Sequence, residues 1–332
     1  MKKILQQLFE HKTLSREQAK DVLTNIGKGI YNEHEITAFM TVFLMRSVTL
    51  QELMGFRDSL LENCVPVNLD TLDTLDIVGT GGDGKNTFNI STLACFIVAG
   101  AGQKVTKHGN YGASTISGAS NLMEQLGYKF KNDAAQLKLE LQEAGICFLH
   151  APLFHPAMKA VANIRKNLGI RTFYNMLGPL VNPAFPRYQI LGVYNLEMAR
   201  VYNYMLQTTG QSFAIVHSLD GYDEVSLTND TKVITNEGEF LYDAAYLGKR
   251  MVDPVSIHGG NSVEEAAKIF VQVLQGNGSW AQNAVVLANA AVALNATGKY
   301  NNYDAAYKAA VQSLESGNAA NCLSKLIQLQ NS

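Results

Sequence analysis

No stretch of this 332-residue chain approaches the roughly 18 uninterrupted apolar residues of a membrane-spanning helix. The opening Met1-Lys2-Lys3-Ile4-Leu5 is charged, but Gln6, Gln7, Glu10 and His11 interrupt the apolar run that a secretory signal needs. The four cysteines (Cys64, Cys95, Cys147, Cys322) are scattered with no C-x-x-C pair, which argues against a zinc ribbon or disulfide framework and for thiols in a reducing compartment. A cytoplasmic protein is expected. Excess charge is also lacking: the formal net charge is −2, which gives no support for a general nucleic-acid or acidic-membrane binder, so any basic site is local. There is no internal repeat and no low-complexity tract. Hydrophobic residues make up 47%, and the length suffices for one large α/β domain or two domains.

The first 65 residues or so read as wholly helical. Ser15 with Gln18 and Thr49 with Glu52 are capping-box pairs, each followed by helical apolar spacing. Another helix is expected over 35–45. After Cys64-Val65-Pro66-Val67 the rhythm changes to short apolar runs alternating with helices. Strands are expected at 75–78, 104–107, 146–149, 189–193 and 213–217, with helices such as 134–144 and 196–207 between them. Residues 231–236 and 239–242 read as a hairpin, and 263–275, 281–296 and 302 onward as helices. The alternation predicts an α/β fold with a mostly parallel sheet flanked by helices.

Residues 79–92, Gly-Thr-Gly-Gly-Asp-Gly-Lys-Asn-Thr-Phe-Asn-Ile-Ser-Thr, are the most informative segment. Glycines on a strand-to-helix turn bring backbone N–H groups close to a ligand, and a helix N-terminus favours an anion. Gly79, Gly81 and Gly84 fit G-x-G-x-x-G, but that dinucleotide motif expects a carboxylate about 20 positions on, where Lys107-His108 stand. Gly79, Gly84 and Lys85 fit most of G-x-x-x-x-G-K-[ST], but Asn86 replaces the hydroxyl that would ligate magnesium. A third reading pairs the glycine loop with Lys107-His108-Gly109-Asn110 and the hydroxyl run Ser114, Thr115, Ser117, Ser120 as a second loop, together holding several phosphates. His108, His150 and His217 do not have metal-ligand spacing.

Gly79-Thr80-Gly81-Gly82-Asp83, Asn89-Ile90-Ser91-Thr92 and Lys107-His108-Gly109-Asn110, in that order, resemble the anthranilate phosphoribosyltransferases of the tryptophan pathway. The likeness continues at His155-Pro156-Ala157-Met158, at 165–172, at Asn175-Met176-Leu177-Gly178-Pro179 and at Gly221-Tyr222-Asp223-Glu224. The resemblance implies a small all-helical domain (1–70, joined by helices from about 160–185) hinged to a larger α/β domain (71–332). It also implies transfer of phosphoribose from phosphoribosyl pyrophosphate (PRPP) to the amine of anthranilate. By that likeness PRPP is held by Gly79, Gly82, Asp83, Thr87, Asn89, Ile90, Ser91 and Thr92, and by Lys107, His108, Gly109, Asn110, Tyr111, Gly112, Ala113, Ser114, Thr115 and Ala119. Anthranilate is held by Gly79, Asn110, Pro152, His155, Met158, Arg165 and Gly178, with Arg165 rather than Arg171 forking its carboxylate. Lys107, Asn110 and Arg165 carry the catalytic roles, Lys107 as a point charge opposite the phosphates. Mg2+ is implied as cofactor, on Ser91, Asp223 and Glu224. A homodimer through the helical domain and an anthranilate synthase partner are implied as well, with no nucleic acid and no membrane.

The chain departs from the family pattern at one loop. Tyr111 stands where Arg is usual, and Ala119 and Asn121 stand where Ser and Asp are usual, so weaker PRPP binding is expected. Two rival readings are a pyrimidine nucleoside phosphorylase-like enzyme, which needs no magnesium, and a non-catalytic nucleic-acid-binding relative.

Overall fold

The computed structural model describes residues 1–71, 73–112, 116–248 and 250–330. Four helices come first: Lys2–Phe9, Arg16–Gly27, Glu33–Met45 and Leu50–Glu62. Both expected capping boxes form, and Asn32 with Glu35 makes a third, so three of the four starts have their orphan N–H groups satisfied locally.

The α/β part carries a seven-stranded sheet: β1 (Leu75–Gly79), β2 (Val105–Gly109), β3 (Ile146–His150), β4 (Tyr188–Gly192), β5 (Ser212–Ser218), β6 (Thr231–Thr235) and β7 (Gly238–Tyr242). Their order is β3-β2-β1-β4-β5-β6-β7. The first five are parallel, and the expected hairpin β6–β7 adds antiparallel to β5. The chain leaves β1 toward β2 on one side and returns to β4 on the other. The crevice beyond the carboxyl ends of β1 and β4 is therefore the topological switch point, where open α/β sheets bind ligands. Gly79 and Gly192 face each other there in register.

One sheet face packs on Ile90–Gly100, and Trp280–Asn295, Tyr303–Glu315 and Asn318–Gln328 pack in turn against that helix, in a core that includes Phe96, Ile97, Val285 and Ala310. The other face shares a core with the N-terminal helices, in which Leu23, Phe39 and Phe56 meet Ile164, Phe173, Leu177, Leu191 and Ile215. Phe39, Phe43, Phe56 and Phe173 form an aromatic knot, with Phe56 and Phe173 stacked at 4.6 Å. The short helices Pro156–Ala160 and Ala162–Leu168 are thus packed with the helical bundle and hang over the crevice.

β2 runs two residues beyond the expected 104–107. Parallel pairing of Lys107 with Phe148 and of His108 with Leu149 keeps the backbone extended, so both side chains belong to a central strand rather than to a loop.

Candidate active site

The glycine loop leaves β1 with Gly81, Gly82 and Gly84 at φ of +64°, +76° and +75°. An L side chain rarely adopts that backbone, and at Gly82 a Cβ would also collide with Arg171. Asn89, itself left-handed at φ +55°, precedes the helix Ile90–Gly100 and donates from Nδ2 to the Ser117 carbonyl (2.9 Å). That bond ties the glycine loop to the loop after β2. Asn121 Oδ1 accepts from Gly112 N–H (3.0 Å) and Gly118 N–H (3.1 Å), closing the second loop from inside. The amide oxygen thereby keeps an acceptor where the usual carboxylate is missing. The two loops face across a cleft of about 210 Å3.

Three carboxyls meet at one end of this cleft. Asp223 Oδ2 accepts from Gly81 N–H (2.7 Å), and Glu224 accepts from Ser91 N–H (3.0 Å) and Thr87 Oγ1 (3.1 Å). Glu224 so caps the helix that the glycine loop feeds. Gly79 and Gly192 have no side chains because Asp223 occupies the space: a Cβ on Gly79 would strike its carboxylate, and one on Gly192 its carbonyl. Asp83 Oδ1 accepts from Lys85 N–H (3.0 Å). Burial first, and repulsion among Asp83, Asp223 and Glu224 next, raise Asp223 and Glu224; burial likewise raises Asp83. Among the described residues no lysine or arginine forms an ion pair with them, and the described side chains do not converge into a ready-made cage of three metal ligands. Buried carboxyls with no cationic partner at the mouth of a phosphate-type loop are a donor set that fits a hard cation.

The opposite wall is different. Arg165, on Ala162–Leu168, is largely buried; its Nη2 donates to Asn175 Oδ1 (3.3 Å) and its guanidinium lies 5.7 Å from the Tyr174 ring centroid. It has no carboxylate partner among the described residues. Met158, Tyr174, Gly178 and Pro179 complete an apolar slot beside it. Several buried polar atoms around the cleft lack partners, namely Thr80 Oγ1, Asn89 Oδ1, Thr92 Oγ1, Ser117 Oγ and the Nε2 of His108. Buried orphans are rare, and a cluster of them on one cleft marks a surface built for a ligand.

Most residues singled out in the sequence come together here. Gly79, Gly82, Asp83, Thr87, Asn89, Ser91, Thr92, Lys107, His108, Gly109, Asn110, Tyr111, Gly112, Ala119, Met158, Arg165, Gly178, Asp223 and Glu224 all line the cleft. Ala113, Ser114 and Thr115 lie outside the described residues.

Four placements differ from expectation. Lys107 lines the wall but is no free point charge: it is 2% exposed and its Nζ donates to the Ile77 carbonyl (2.6 Å). His155 is fully buried behind His108, with its Nδ1 at 3.3 Å from the Leu60 carbonyl and its ring 5.3 Å from that of His108, so it braces a wall residue instead of touching the ring slot. Pro152 is the second residue of the short helix Ala151–Phe154 and does not line the cleft, where Ala151 stands instead. Ile90 turns its side chain into the sheet core. Lys85, Tyr174 and Asn175 also line the cleft, although the sequence reading gave them no site role. Asn175 opens a stretch matched to the family and Tyr174 directly precedes it, while Lys85 sits inside the glycine loop, 4.6 Å over the Tyr222 ring.

The glycosyl transferase family a/b domain matches residues 71–320, and the helical bundle domain of the same family matches residues 2–64. An anthranilate phosphoribosyltransferase from Flavobacterium johnsoniae is 54% identical over 329 residues, 99% of either chain. The chain belongs to the anthranilate phosphoribosyltransferase family. A solved family member from Thermus thermophilus superposes with a TM-score of 0.91 at 29% identity, covering 99% of both chains. Another, from Saccharomyces cerevisiae in complex with PRPP and Mg, gives 0.89 at 29% identity, covering 98% of this chain and 96% of that one. The superpositions show that the helical bundle and α/β domain of this chain follow the fold of both solved members.

Proposed function

We propose that the cleft transfers the 5-phosphoribosyl group of PRPP to the amine of anthranilate and releases pyrophosphate. The observation that carries this is the division of one cleft between a glycine loop with three carboxyls and, opposite, an unpaired guanidinium above an apolar slot. The C1–O bond of PRPP breaks with its electron pair leaving on pyrophosphate, the amine lone pair forms the C1–N bond, and the amine then loses its proton to water. An aromatic amine needs no prior deprotonation, so no nucleophilic side chain or triad is required. The residues' task is to place the two substrates and to stabilise the leaving charge.

In this reading the diphosphate lies on the N–H groups of Gly82 and Asp83, on the start of Ile90–Gly100 and on the second loop, with Ser114 and Thr115 adding hydroxyls. Asp223 and Glu224, with Ser91, would hold Mg2+, which when bound offsets the charge of the departing diphosphate. Asp83 adjoins them and would aim at a ribose hydroxyl. Arg165 would fork the anthranilate carboxylate, Asn110 would orient the amine, and Met158, Gly178 and Pro179 would sandwich the ring. A homodimer through the helical domain, where Leu44 and Met45 are exposed, and a cytoplasmic location belong to the same reading. Among the described residues no helix is long and apolar enough to cross a membrane.

The test is loss of anthranilate fluorescence on mixing with PRPP, with and without Mg2+, alongside thymidine and uridine phosphorolysis. Magnesium-dependent consumption of anthranilate with pyrophosphate release is expected. Phosphorolysis without anthranilate turnover would refute the assignment.

A further inference from the structure

The helix Trp280–Asn295 buries almost only Ala, Val and Leu, yet Asn289 sits in the middle of that buried face. A buried amide costs free energy unless each of its polar atoms is paired. Those of Asn289 are paired mainly on one target. Its Oδ1 accepts from Val225 N–H (3.1 Å), and its Nδ2 donates to the Val225 carbonyl (2.8 Å) and to Val285 in its own helix (2.8 Å). Val225 directly follows Asp223 and Glu224. From the other flank, Ser218 Oγ donates to the Glu224 carbonyl (2.7 Å) and accepts from Ser226 N–H (3.1 Å). The backbone carrying the acidic pair lies outside any strand and is fixed by these two side chains.

We infer that Asn289, which does not line the cleft, is a positioning residue: by clamping both main-chain groups of Val225 it aims Asp223 and Glu224 at the glycine loop and so sets the affinity for a divalent cation with its diphosphate. The inference rests on the role given to Asp223 and Glu224 in the proposed function. An apolar side chain of similar size would fill the same space but leave Val225 N–H and C=O unpaired in the core.

The test titrates Mg2+–pyrophosphate into the full chain by calorimetry, with KM for PRPP and for anthranilate measured in parallel. Asn289→Leu should weaken Mg2+–pyrophosphate binding by about 10- to 100-fold, the usual effect of removing a partner that orients metal ligands. It should raise KM for PRPP and leave KM for anthranilate unchanged. Asn289→Asp keeps the acceptor for Val225 N–H but sets its second oxygen against the Val225 and Val285 carbonyls, so it should weaken binding as Asn289→Leu does; Ser218→Ala, cutting the other flank, should shift the same quantities. Those two variants carry the test if Asn289→Leu does not fold. Undiminished Mg2+–pyrophosphate binding in the Asn289 variants, or equal losses for both substrates, would overturn the inference. Asp223→Asn and Glu224→Gln separate the two claims. If they bind Mg2+–pyrophosphate as the wild type does, the functional reading fails; if they weaken it while the Asn289 variants do not, only the role of Asn289 fails.

Discussion

At the scale of single residues, Arg165 and Tyr111 show opposite ways of meeting a charge. Arg165 is mostly out of water with only an amide oxygen and a ring face for company, so burial pulls its pKa down and leaves fork donors free for an incoming carboxylate. Arg165→Ala should raise KM for anthranilate by about two orders of magnitude while KM for PRPP stays put, because charge-assisted bonds are worth about 1.5–3 kcal/mol each. Arg165→Lys should recover little, since one ammonium cannot fork a carboxylate. Steady-state kinetics with each substrate varied decides it, and an unchanged anthranilate KM would remove Arg165 from the slot. Tyr111 stands where the family usually has a cation. Its hydroxyl donates to Glu124 (2.7 Å), and its ring lies edge-on to His150 at 4.8 Å. Tyr111→Arg should lower KM for PRPP by about tenfold, or 1–2 kcal/mol, and Tyr111→Arg with Glu124→Gln by more, because Glu124 would otherwise draw the new guanidinium off. A KM unmoved in both variants would mean the missing cation is already made good. These roles were legible in sequence because an arginine in a matched motif, or its absence, is visible residue by residue. The burial of Lys107 was not: where a strand's end is covered by a third segment, spacing alone cannot distinguish a loop cation from a wall cation.

At the scale of elements, the ends of β1 and β4 were readable in part. The apolar runs and glycines marked the strands, and Ser15 with Gln18 and Thr49 with Glu52 marked helix starts that form as expected. What could not be read was which distant segment meets which. The loop carrying Asp223 reaches across to Gly79 and Gly192, and His155 lands behind His108, because strand order brings β4 back beside β1. No local pattern encodes that order. The close approach has a consequence. Gly192→Ala puts a methyl into the Asp223 carbonyl, and Gly79→Ala puts one into its carboxylate. Both should displace the acidic pair, costing about 1–3 kcal/mol of stability by overpacking, with PRPP affinity falling more than anthranilate affinity. Denaturant midpoints and separate KM values test this. Variants with wild-type midpoints and wild-type PRPP binding would show that the loop has room to spare.

At the scale of the whole molecule, buried titratable groups of opposite kind set the response to pH. Burial pushes His108 down to about 3, and His150 and His155 to about 4. As pH falls below the ordinary imidazole value near 6.5, the unfolded chain takes up protons that the folded chain refuses, and stability drops. Four carboxyls act the other way. Burial lifts Asp76 to about 6, burial with mutual repulsion lifts Asp223 and Glu224, and burial lifts Asp83. Above the ordinary carboxyl value near 4 the folded chain keeps protons that the unfolded chain has released, so these groups lose stability as pH rises. Between about pH 4.5 and 6 the two sets oppose each other, so the urea midpoint of the substrate-free protein should change little with pH. Saturation with Mg2+–pyrophosphate should hold Asp223 and Glu224 ionised, removing two of the four opposing contributions. The liganded protein should then lose about 1.4 kcal/mol per pH unit for each uncompensated imidazole as the solution is acidified through that window. Urea unfolding at several pH values, with and without Mg2+–pyrophosphate, reads both slopes. A liganded slope as level as the free one would mean that binding does not ionise the acidic pair, and the metal role of Asp223 and Glu224 would fall with it.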